Sequence, residues 1–144
     1  MRNLKATALA LGLSVGLWPL GAAAQDFDGS KALICSLAHV MQCEDGSDSC
    51  VRLRPNEVGA PDFLNLDFQA KTITTSNSAA TSAMENVELI DGRLYVQGAE
   101  DGLESEIDGF GWTMAITQDG GQLVLSGAAE GMGFVFFGAC MARP

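Results

Sequence analysis

Almost throughout its length after the first two dozen residues, the chain alternates apolar and polar side chains with period two. Gly, Asp, Asn and Ser interrupt the alternation at short intervals. Period two sends successive side chains to opposite faces of a strand, so it commits most of the chain to half-buried β structure. The clearest segment is Val87-Glu88-Leu89-Ile90-Asp91-Gly92-Arg93-Leu94-Tyr95-Val96. Asp-Gly favours the two-residue hairpin turn in which both central residues take positive φ. Pairing outward from it sets Leu89 against Leu94 and Val87 against Val96 on one face, with Glu88 against Tyr95 on the other. A slip of one residue would expose that apolar face, so the register is fixed.

A second hairpin is predicted at Asp119-Gly120-Gly121. It places Trp112, Met114 and Ile116 on one face with Leu123 and Leu125, while Thr113, Thr117, Gln122 and Ser126 point away. Leu64, Leu66 and Phe68 alternate with Asn65 and Asp67 in another one-sided strand, and Ile73 follows in a short one. The Ser/Thr/Ala stretch from Thr74 to Ser82 reads as a loop. The last strand is apolar on both faces: Phe134, Phe136 and Cys140 take one side, Val135 and Phe137 the other. A second apolar face is either covered by a loop or the N-terminal segment, or left as a patch for a partner.

Residues 31–43 are ambiguous. As a strand, Leu33, Cys35, Leu37, Met41 and Cys43 share a face, interrupted by His39. As a helix, Ser30 would cap it, and Leu33, Leu37 and Met41 would form a stripe. The strand is preferred because the rest of the chain is strand and a short turn follows. About eight strands with short connections predict an all-β fold built as a single antiparallel meander, a small up-and-down barrel. The alternative is a two-sheet β-sandwich.

The first 24 residues read as an export signal. Arg2 and Lys5 precede an uncharged apolar run, Pro19 and Gly21 break it, and Ala22-Ala23-Ala24 supplies the small-residue site for cleavage before Gln25. An uncleaved anchor is the alternative. A lipoprotein would need a Cys directly after the cleavage point, and the first Cys is Cys35. The expectation is a periplasmic or secreted protein, with residues 25–144 as one domain and no stable membrane anchor after cleavage. Removing Arg2 and Lys5 leaves six Lys/Arg against eighteen Asp/Glu, taking the net charge from −10 to −12. Such a surface repels nucleic acid and anionic membranes, and favours cations and basic proteins.

All four Cys lie in the exported part, where disulfides are the default. In Cys43-Glu44-Asp45-Gly46-Ser47-Asp48-Ser49-Cys50 the six intervening residues suit a hairpin loop closed by a Cys43–Cys50 bridge. Cys35–Cys140 then joins the first strand to the last; spacing leaves the other two pairings open. A zinc site would need clustered Cys and His, and a calcium loop alternating oxygen ligands ending in Glu. Neither pattern is present, a C-x-x-C redox pair is also missing, and no metal or other cofactor is implied.

Catalytic motifs are equally sparse. His39 is the only His and reads as a structural, hydrogen-bonded residue; no Ser lies in G-x-S-x-G. The segment from Glu100 to Gly109 carries five carboxylates in ten residues and reads as a solvated loop leading into the Trp112 strand. Trp112 itself reads as core. The candidate binding residues are Glu104, Glu106 and Asp108 for a basic protein partner, and Val135 and Phe137 for a small apolar ligand or partner. A non-catalytic binding or interaction module is therefore expected. The alternatives are a hydrolase using carboxylates of the acidic segment, and a purely structural envelope protein.

Phe27-Asp28-Gly29-Ser30-Lys31, the cysteine cluster, Asp108-Gly109-Phe110-Gly111-Trp112-Thr113-Met114-Ala115-Ile116 and Phe134-Val135-Phe136-Phe137-Gly138-Ala139-Cys140 resemble segments of a family of small exported bacterial proteins of uncharacterised function. The resemblance implies export and one compact domain, and carries over no functional residues.

Overall fold

The computed structural model describes residues 26–76, 81–100 and 109–143. Among them are ten strands and no α-helix, joined in one antiparallel sheet that curls into a half-barrel. The strands are β1 (Leu33–Glu44), β2 (Val51–Leu53), β3 (Phe63–Asp67), β4 (Thr72–Thr75), β5 (Thr81–Ala83), β6 (Asn86–Ile90), β7 (Arg93–Glu100), β8 (Phe110–Thr117), β9 (Gln122–Ala129) and β10 (Met132–Ala142). Their order is β5-β4-β3-β1-β10-β9-β8-β7-β6, with β2 beside β1. First and last strands therefore pair in the middle of the sheet, as a meander curling toward a barrel requires, and the seam falls between β5 and β7.

Two disulfides pin this arrangement. Cys35 and Cys140 face each other directly across the β1–β10 ladder, and Cys43–Cys50 closes the loop between β1 and β2. The Asp91-Gly92 turn has φ of 46° and 74°, and Leu89 pairs with Leu94, Val87 with Val96 and Glu88 with Tyr95. The turn chemistry dictates this register. Leu94 and Val96 are buried, but Leu89 is half exposed, because β6 is the outermost strand and little packs over it. The second hairpin pairs Ile116 with Leu123 and Met114 with Leu125, all four on the inner face.

Three expectations need correction. Most of residues 31–43 form strand as expected, within β1, which begins at Leu33, but the alternation of β1 is broken: Leu37 pairs with Gly138 and His39 with Phe137, leaving Ala38 as the extra residue of a bulge. Beyond it the facing inverts. Val40 is buried, while His39 and Met41 turn to the outer surface instead of sharing the face of Leu33, Cys35 and Leu37. Second, Thr74 to Ser82 is not simply a loop. Ile73 pairs with Ser82 and Thr74 with Thr81, so β-branched threonines carry a narrow antiparallel pair, and residues 77–80 lie outside the described residues. Third, Glu100 is the last residue of β7, paired with Phe110, rather than part of a solvated loop.

Candidate functional site

The two halves of the half-barrel are filled differently. At the end marked by the β6–β7 and β8–β9 turns, Leu33, Leu66, Leu94, Met114, Ile116 and Leu123 are at most 1% exposed. The N-terminal segment closes this end: Phe27 packs on the core with its ring against Gly121. Toward the opposite end, Leu37, Leu64, Ile73, Trp112, Leu125 and Phe136 are 5–8% exposed. They surround a cavity of about 530 Å³.

Sequence dictates this opening locally. The strand flanking β1 is split into β2 and β3, because Pro55 cannot donate to a ladder and a single 3-10 turn (Pro55–Val58) follows. Glu57 accepts the Arg54 backbone N–H at 2.7 Å and its Nε–H at 3.3 Å, fixing the turn. Those hydrogen bonds, the backbone one first, hold the Glu57 carboxyl below its ordinary range. Val58, Gly59, Ala60 and Pro61 then form one wall of the cavity in place of a continuous strand.

The facing wall is aromatic. Trp112 of β8 lies between Gly98 of β7 and Gly127 of β9 in the cross-strand register. A Cβ on Gly98 would come within 2.4 Å of the Trp112 ring, and one on Gly127 within 2.0 Å of the Phe110 ring. The missing side chains are thus the space the two rings occupy. Phe134 meets Phe110 edge-on at 6.2 Å and stacks with Phe136 at 6.2 Å. Four aromatic rings from two strands, β8 and β10, line one cavity.

Its rim at the seam is polar. Thr75 pairs with Leu64, Ser82 with Ile73, and Glu100 continues the inward series Leu94, Val96, Gly98; by strand parity all three face inward. The Ser82 hydroxyl donates to Glu100 Oε1 across the seam. Glu85 N–H donates to the Gln97 carbonyl at 2.9 Å, drawing the segment after β5 against β7.

Of the residues singled out from sequence, the two that the structure describes fall elsewhere. Val135 and Phe137 sit half-buried on the outer face of β10, away from the cavity, where the His39 ring stacks on Phe137 at 4.9 Å. His39 is thus an outer-face stacking residue, not part of an apolar inner face. Glu104, Glu106 and Asp108 lie outside the described residues. Among the described residues, no group of three His, Cys, Asp or Glu is placed to hold a metal ion. From sequence, Glu100 stands out only within the acidic segment of the hydrolase alternative, and Ser82 is not singled out. Extending the alternation of Leu94 and Val96 by four residues would have found Glu100. Ser82 offered no such signal, since its facing depends on pairing within a threonine-rich pair of strands.

No family model, curated protein or solved structure matches the chain.

Proposed function

We propose that this protein is a non-catalytic binding module that holds a small, largely apolar ligand in the open half of its half-barrel. The observation carrying this reading is the cavity: its volume lies within the roughly 300–1,000 Å³ typical of small-molecule sites. Its lining is apolar and aromatic with a few polar groups at one rim, the usual composition of a site for an organic ligand. Glu100 is the sole acidic side chain among the described lining residues; the other carboxylates of the hydrolase alternative, Asp101, Glu104, Glu106 and Asp108, lie outside the described residues. The working environment is periplasmic or secreted. Two disulfides fit an oxidising compartment. The basic residues, apolar run and A-x-A site of residues 1–24, together with the likeness to small exported proteins, support the same setting.

The test is titration with the neutral fluorophore N-phenylnaphthylamine, whose emission rises in apolar surroundings. A single saturable site is expected, with Leu125→Phe, which fills the cavity from its wall, weakening it at least about tenfold. Emission that rises without saturation, or equally in Leu125→Phe, would remove the cavity as the site. Native mass spectrometry of protein isolated from its own source would then give the mass of any retained ligand.

A further inference from the structure

We infer that the cavity selects amphiphiles with a cationic amine head, with Glu100 as the residue that sets this preference. The inference rests on the cavity being the binding site.

Among the described lining residues Glu100 is the only charged side chain. It ends the inward-facing series of β7, so its carboxylate sits where the apolar wall meets solvent. The cations near the lining in sequence do not compete for that position. Lys71 sits in the turn between β3 and β4, at the closed end beyond the buried Leu66–Ile73 pair. The Arg54 side chain is itself bound to Glu57 on the turn, and Arg52, paired with Met41, projects from the outer face. His39 is on the outer face as well. A carboxylate amphiphile seated in this cavity would therefore bring its charge next to Glu100 with no counter-charge among the described lining residues, an unfavourable like-charge contact. An ammonium on the same tail gains that carboxylate as partner while remaining wet at the rim. The overall charge of −10 draws cations toward the molecule and repels anions. A neutral alcohol gains neither effect and serves as the reference.

Glu100 also has a structural role, since it accepts the Ser82 hydroxyl across the seam. Glu100→Gln separates the two: the amide oxygen still accepts that hydrogen bond, but the charge is gone. The experiment is displacement of N-phenylnaphthylamine by decylamine, decanol and decanoate, all below micelle formation, from the wild-type protein and from Glu100→Gln. The expected order in the wild type is amine first, alcohol about fivefold weaker and carboxylate weakest, the amine preference shrinking as salt is added. In Glu100→Gln the amine should fall to the level of the alcohol, and the carboxylate should improve relative to decanol as the reference. Equal binding of amine and alcohol by the wild type, or an amine preference that survives Glu100→Gln, overturns the head-group assignment and leaves the cavity reading intact. If fluorophore binds saturably yet none of the three amphiphiles displaces it, the ligand class is wrong. If the fluorophore does not bind saturably, the cavity reading itself falls.

Discussion

The closed and open halves of the half-barrel are built from the same strands but under different rules. At the closed end the inner-face side chains meet across the sheet, and the N-terminal segment carrying Phe27 fills what remains. At the open end the strand beside β1 is broken by Pro55, glycines replace side chains opposite Trp112 and Phe110, and the space between the walls is left as a cavity. Interiors are ordinarily packed to the density of organic crystals, and missing contacts cost stability. On the proposed function, a sheet that fills one half and leaves the other hollow would keep stability and binding in separate places. The closed half holds the fold; the open half is free to accept a guest.

The two disulfides give the sharpest contrast. Cys35–Cys140, toward the closed end, joins residues 105 apart, whereas Cys43–Cys50, at the open end, joins residues 7 apart. Chain-entropy scaling predicts about 4.7 kcal/mol for the first and about 2.4 kcal/mol for the second. Replacing each pair with alanines and measuring urea unfolding should show the larger loss for Cys35/Cys140. The Cys43/Cys50 variant should still bind the fluorophore. Equal losses, or a greater loss for the short loop, would break the assignment of stability to the closed half.

Leu123 and Leu125 put the same question with one residue type on one strand. Both face inward from β9, but Leu123 is 1% exposed in the closed core and Leu125 lines the cavity. Leu123→Ala should cost about 3–4 kcal/mol, since a new void opens in tight packing; Leu125→Ala should cost about 2 kcal/mol, as it enlarges a space already present. Enlarging each residue tests the opposite direction. Leu123→Phe should lose about 1–3 kcal/mol by overpacking, whereas Leu125→Phe should change stability by less than about 1 kcal/mol. Denaturant midpoints at constant slope decide both pairs. Identical costs at the two positions would mean that the cavity is filled in solution by rearrangement of its walls.

This difference between halves also marks how far the sequence could be read. The hairpin registers were legible because Asp91-Gly92 and Asp119-Gly120-Gly121 set the turns, and alternation then places every residue on a known face. The closed core follows from the same rule. The open half depends on departures from it. The bulge at Ala38 inverts the facing of His39 and Met41, and no residue type there announces an extra position. The apolar Val135 and Phe137 looked like a binding face, but the inner-facing Phe134 and Phe136 are the ones that line the cavity. Glycines 98 and 127 carry no sequence signal of the rings that lie over them. Periodicity reports which face a side chain takes; it does not report whether the space in front of that face is occupied.

The smallest expected effect comes from two exposed carboxylates, one at each end. Asp28 in the N-terminal segment accepts the Ser30 side-chain and backbone donors, and these hydrogen bonds lower its pKa from 3.8. Glu57 is lowered from 4.5 by the Arg54 backbone N–H first and its side chain second. A carboxyl with a lower pKa when folded is protonated more readily in the unfolded chain. Its contribution is therefore complete above the unfolded values of 3.8 and 4.5, and is lost as pH falls through the lowered folded ones. Asp28→Asn and Glu57→Gln should each flatten the acid limb of the stability curve slightly and leave it unchanged near neutrality apart from a constant offset. Urea midpoints across the acid range measure this. The ends then part company in binding: Glu57→Ala, which releases the turn preceding Val58–Pro61, should weaken fluorophore binding a few-fold, while Asp28→Ala should leave it unaltered. A binding loss in Asp28→Ala matching that of Glu57→Ala would show that the N-terminal segment and the cavity wall move together, and that the halves are not independent.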